Sequence, residues 1–68
     1  MEYKKTGYVA RDKNGKLYIY DKLPKRKRQF ACWFTNNPYD KFYELPKDWF
    51  PEITWLSKPV MVEITINS

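Results

Sequence analysis

The stretch Gly7-Tyr8-Val9-Ala10-Arg11-Asp12-Lys13-Asn14-Gly15-Lys16-Leu17-Tyr18-Ile19-Tyr20 constrains the fold of this chain more than any other. Two runs of strand-forming residues flank a cluster of turn residues, which is the signature of a β-hairpin. Asn14-Gly15 could close it as a two-residue type I′ turn. A type I turn over Asp12-Lys13-Asn14-Gly15, with Gly15 left-handed in a bulge, fits better. Asp is favoured at the first position of that turn and Gly at the fourth. This turn sets Asp12 opposite Lys16 and Val9 opposite Ile19. Val9, Leu17 and Ile19 then share one face, while Tyr8, Ala10, Tyr18 and Tyr20 share the other. The two-residue turn would put Asp12 beside Leu17, and register follows the apolar pattern.

The rest of the chain reads as more short strands. Asp21-Lys22-Leu23-Pro24-Lys25-Arg26-Lys27-Arg28 carries a proline and four consecutive cations, which do not suit a central strand and predict a mobile basic loop. Gln29 to Thr35 is expected as a strand, with Phe30, Cys32 and Phe34 on one face and Trp33 on the other. Asn36-Asn37-Pro38-Tyr39-Asp40 is a turn in which Pro38 fixes φ. Phe42 to Leu45 returns as a short strand. Pro46-Lys47-Asp48-Trp49-Phe50 predicts one helical turn, ended by Pro51, because the residue before a proline avoids the helical region. Trp55 is expected to anchor the crossover that follows. From Val60 to Ile66 the chain alternates strictly: Val60, Val62, Ile64 and Ile66 against Met61, Glu63, Thr65 and Asn67. The fold class expected is therefore mainly β, a small five-stranded antiparallel barrel or curved sheet, SH3-like, with one short helical turn. To close it, the last strand would pair with the first. A three-stranded meander with an added hairpin is the alternative.

Sixty-eight residues make a single domain, residues 1–68, with a thin core. Aromatics are 19% of the chain, and each can bury about 150–250 Å², so a few do the work of many aliphatics. Cys32 stands alone, so neither an internal disulfide nor a zinc site is expected. No apolar run approaches the roughly 18 residues of a membrane span, and Met1-Glu2-Tyr3-Lys4-Lys5 lacks an apolar signal segment. These features predict a cytoplasmic protein with no membrane partner.

The chain also resembles a family of short, uncharacterised proteins of phages and prophages of gut bacteria. The shared pattern is Gly7-Tyr8-Val9-Ala10-Arg11-Asp12 with Asn14-Gly15 and Leu17-Tyr18. It continues through Leu45-Pro46, Phe50-Pro51-Glu52-Ile53-Thr54-Trp55 and Lys58-Pro59-Val60, and ends with Glu63-Ile64. The resemblance implies a bacterial or phage setting. It brings no assigned function and no active site.

Catalytic chemistry finds little to work with. Histidine, the commonest general base and metal ligand, is absent, and two glycines cannot build a phosphate-cradling loop. Ser57 and Ser68 lie in no nucleophile motif. Asp40, Glu44, Asp48 and Glu52 are close in sequence and could pair as acid and base, but a solvated edge is the simpler reading. Cys32, between Phe30 and Phe34, reads as a small hydrophobe rather than a reactive thiol. We therefore expect no enzyme, no cofactor and no metal.

Two kinds of partner are compatible with what remains. Net charge is +5, yet residues 1–28 hold ten Lys and Arg against three Asp and Glu, while residues 29–68 hold three against five. Lys25, Arg26, Lys27 and Arg28, with Arg11, Tyr18 and Tyr20, would form a basic loop beside a tyrosine-rich sheet face, a nucleic-acid platform. The same aromatic and basic residues would equally serve a protein partner, since Tyr, Trp and Arg supply most binding hot spots. The acidic second half disfavours a phosphate backbone wrapping the domain, so protein–protein interaction is the first expectation and nucleic acid the second. Self-association is a further option.

Overall fold

The structure is a computed structural model that describes the backbone of residues 2–67 and the side chains of residues 4–65. Six strands form in chain order: β1 (Glu2–Arg11), β2 (Leu17–Tyr20), β3 (Lys25–Lys27), β4 (Cys32–Phe34), β5 (Phe42–Leu45) and β6 (Val60–Asn67). Four of them make one antiparallel sheet in the order β5-β2-β1-β6, and β3 and β4 pair as a separate ribbon. The larger sheet is open, ending on β5 and β6, so the closed barrel is not formed. The fold is mainly β, with six strands rather than five.

The first hairpin forms as its turn chemistry dictates. Val9 pairs with Ile19, and the Asp12 N–H donates to the Lys16 carbonyl at 2.9 Å. The Gly15 N–H closes the turn on the Asp12 carbonyl at 3.0 Å, and Gly15 sits at φ +94°. β6 pairs with β1 from Glu2↔Asn67 to Val9↔Val60, the pairing expected of the last strand, but as an edge of the open sheet rather than its closure. β5 pairs with β2, placing Tyr43 opposite Ile19 and Phe42 opposite Tyr20.

Each face of the sheet is covered by its own strap, and this divides the apolar residues into two clusters. Val9, Leu17, Ile19 and Ile53 are buried on one face, with Leu45, Phe50, Val62 and Ile64 packed against them. Ala10, Tyr20 and Trp33 are buried on the other, flanked by Tyr18 and Trp55. The alternation of β6 is realised in Val62 and Ile64, which face the first cluster, and in exposed Met61 and Glu63. Val60 is 43% exposed at the end of the sheet. The side chains of Ile66 and Asn67 lie outside the described residues. Trp55 does anchor its crossover, meeting Trp33 edge-on with 6.0 Å between centroids.

Two local expectations are corrected. Lys25–Lys27 is not a mobile loop: it pairs with β4 as Lys25↔Phe34, Arg26↔Trp33 and Lys27↔Cys32. The strand expected over 29–35 shortens accordingly, because Arg28–Phe30 forms the connecting 3-10 turn and leaves Phe30 62% exposed. Ala31 ends this turn in the left-handed region at φ 54°, with its N–H on the Arg28 carbonyl. Cys32 is half-buried rather than core. The second correction is the helical turn at 46–50. Pro46 starts a single reverse turn, closed by the Trp49 N–H at 3.1 Å. Phe50 then takes φ 50°, and a second turn from Phe50 to Ile53 follows. The carbonyls that would have propagated a helix are directed at Arg11 instead.

Candidate binding groove

Arg11, at the end of β1, gives its guanidinium wholly to the backbone. Nε donates to the Ile53 carbonyl at 2.6 Å. Nη1 donates to Gly15 and Lys47 at 2.8 and 3.0 Å, and Nη2 to Trp49 and Phe50 at 2.8 and 3.2 Å. A planar fork with five N–H donors suits this task, and a point-charge ammonium would not. Arg11 thus holds the strap over the first cluster and is not available to a ligand.

Tyr20 is also committed. It is 4% exposed, lies against Trp33, and its hydroxyl faces the Trp33 carbonyl at 3.5 Å. Burial, with the neighbouring Asp12, Tyr18 and Cys32, raises its pKa. Tyr18 remains half-buried, so the sheet does not present a continuous open tyrosine platform.

Within the basic run, alternation along β3 separates the four cations. Arg26 points inward beside Trp33 and lies over two adjoining indoles, 4.9 Å from the Trp33 ring and 5.2 Å from Trp55. Its Nη2 donates to the Ser57 carbonyl at 3.3 Å, and its Nε is buried without a hydrogen-bond partner. Lys27, one residue on, sits outward over Phe30 and Phe34, at 4.9 and 5.0 Å. Both geometries are within the roughly 6 Å range of cation–π attraction. Lys25 and Arg28 are exposed. The candidate residues therefore do not converge on one surface.

What does converge is an aromatic groove of about 310 Å³ between the second face of the sheet and the segment after β4. Tyr18, Tyr20, Trp33, Phe34 and Phe42 supply its rings, and Asp12 and Asp40 its carboxylates. Phe42 stacks on Tyr20 at 5.7 Å and meets Tyr18 edge-on at 5.8 Å, so the floor is a packed ring cluster. Trp33 is fixed by two bonds to the hairpin end. Its N–H donates to Asp12 Oδ1 at 3.1 Å, and its indole Nε1 donates to the Arg11 carbonyl at 2.9 Å. On the far wall Asn37 organises the turn: its side chain accepts from the Tyr39 N–H at 2.9 Å, and its carbonyl from the Asp40 N–H at 3.0 Å. Burial raises the Asp12 carboxyl pKa, opposed by the Trp33 N–H and by Lys16.

Asp12, Asp40 and Phe42 are not evident as a site in the sequence. Phe42 joins Tyr18 and Tyr20 only through β2–β5 pairing, a non-local contact, and the two acids are 28 positions apart in sequence. Among the described residues no group of three or more metal-ligating side chains assembles, and no helix is long and apolar enough to cross a membrane. No protein-family model, curated protein or solved structure matches this chain.

Proposed function

We propose that this chain is a small non-enzymatic binding module whose partner is another protein, and, by its resemblance to short phage and prophage proteins, an accessory factor that engages a host protein. The observation that carries this reading is the groove: an open, ring-lined concavity on a rigid sheet. Aromatic anchors in a desolvated pocket supply most of the binding energy at protein interfaces. Phe42 in its lining is itself exposed, and exposed Tyr39 lies between the lining residues Pro38 and Asp40.

Nucleic acid is the second reading, and the exposed Lys25 and Arg28 favour it. Against it, Arg11, Arg26 and Lys27 are engaged within the fold and Tyr20 is covered, so of the expected basic and tyrosine platform only Lys25 and Arg28 stand exposed. Titration with labelled single- and double-stranded oligonucleotides at low salt separates the two. The protein-binding reading expects no affinity tighter than about 10⁻⁴ M, the weak end of non-specific binding. It also expects folded domain to select binders from a displayed random-peptide library. Tight oligonucleotide binding that weakens steeply with salt and is lost in Lys25→Ser/Arg28→Ser would overturn it.

A further inference from the structure

The groove combines two properties that belong together in only a few kinds of recognition. Its rings present negative π-faces, and its two charged residues are both acidic: none of the ten residues that line it is Lys or Arg. Among the described residues the ion pairs are Lys4–Glu63 and Lys5–Asp21, so neither Asp12 nor Asp40 is paired with a cation of the chain. Cations stand behind the walls: Lys16 acts on Asp12, Arg26 lies 4.9 Å from the Trp33 ring and Lys27 5.0 Å from that of Phe34. The charges that line the groove itself are nonetheless two carboxylates, in a chain of net charge +5, and they disfavour an anionic occupant.

Resting on the protein-binding reading above, we infer that the groove receives an arginine side chain from an extended segment of the partner protein. Its guanidinium would lie against the rings of Tyr18 and Phe42 with Asp12 and Asp40 as acceptors. The volume, about 310 Å³, is at the low end of ligand pockets and suits one long side chain rather than a nucleotide. Arginine fits better than lysine because a planar, weakly hydrated guanidinium stacks on rings and donates to carboxylates at once. The protein already uses this chemistry on itself: the Arg26 guanidinium lies over the rings of both Trp33 and Trp55. The raised pKa of Asp12 marks a carboxylate short of solvation, which an incoming cation would restore.

The test uses the full chain and a short acetylated, amidated peptide, Gly-Ser-Arg-Ser-Gly, with a citrulline counterpart that keeps the shape and removes the charge. Backbone and indole NMR shifts report the position of binding. The expected result is that shifts concentrate at Tyr18, Trp33, Phe34, Asp40 and Phe42. Affinity should fall about tenfold with citrulline and about tenfold in Asp40→Asn, the scale of one charge-assisted hydrogen bond. Asp12→Asn keeps the acceptor for the Trp33 N–H and should weaken binding similarly; where its melting temperature falls, Asp40→Asn carries the test. Equal binding of arginine and citrulline peptides, or arginine binding indifferent to Asp40→Asn, overturns the inference. Library peptides that lack arginine yet bind the groove would do the same while leaving the protein-binding reading intact. Absence of any peptide binding, with oligonucleotides bound instead, removes both.

Discussion

Replacing Arg11 by Lys tests whether one side chain holds a whole layer of the fold. The substitution keeps the charge and most of the length and removes only the planar fork. Of the five bonds that Arg11 makes, those to Gly15, Phe50 and Ile53 are partly buried, and those to Lys47 and Trp49 face solvent. Water replaces the solvent-facing pair at little cost, while each partly buried bond is worth about 1 kcal/mol net. A lysine ammonium can retain roughly one of these three, so Arg11→Lys should cost about 2 kcal/mol. That is a large fraction of the about 3–5 kcal/mol expected of a core this small. Urea unfolding followed by tryptophan fluorescence reads it directly. With a slope of about 1 kcal/mol/M, the midpoint should fall by about 2 M. A midpoint unchanged within about 0.5 M would refute the reasoning and return Arg11 to the pool of residues free to meet a partner.

Gly15→Val should cost about 1–3 kcal/mol through backbone strain alone, since Gly15 lies at φ +94° and a Cβ there meets nothing within 4 Å. Gly7→Ala should cost a similar amount for a different reason: its Cβ would come within 2.7 Å of Ile19 Cγ1 and the Tyr20 carbonyl oxygen, and the latter is backbone that cannot step aside. Thermal melts of the two variants, alone and combined, should show additive losses; a neutral Gly15→Val would mean that the hairpin turn is misassigned. The raised pKa of Tyr20, caused first by burial, makes stability complete below the ordinary tyrosine value near 10 and progressively lost above it. Melting temperature against pH should therefore decline on the alkaline side, and Tyr20→Phe should flatten that decline; an unchanged alkaline limb in Tyr20→Phe would assign it elsewhere.

How far the sequence disclosed this fold depended on the range of the interaction involved. The first hairpin was legible because Asp12, Asn14 and Gly15 each satisfy a requirement of one turn, and β6 because alternation is written into adjacent residues. The ribbon of β3 and β4 was not, because four cations in a row read as solvated until their partners are known. Arg26 and Lys27 become strand residues only when Trp33, Trp55, Phe30 and Phe34 lie over them. The helical turn at 46–50 failed on cooperativity. A single turn gains too little from its own hydrogen bonds to compete for carbonyls with a guanidinium from a distant strand. The groove was hidden for the same reason, since it exists only where β5 comes to lie beside β2.

Two consecutive residues tie the layers of this protein together. The Arg11 guanidinium fastens the strap over one face, while the Arg11 carbonyl and the Asp12 carboxylate fasten Trp33 over the other. The Lys13 N–H adds a bond to the Ala31 carbonyl, linking the tips of the two hairpins. A chain with two separate apolar clusters could in principle melt in two stages, one layer peeling away while the other persists. Here the peptide unit that anchors one layer is contiguous with the groups that anchor the other, so loosening either strains both. Amide protons beneath the strap and beneath the ribbon would then exchange with solvent through the same opening event, and the molecule would behave as one foldon despite its divided interior.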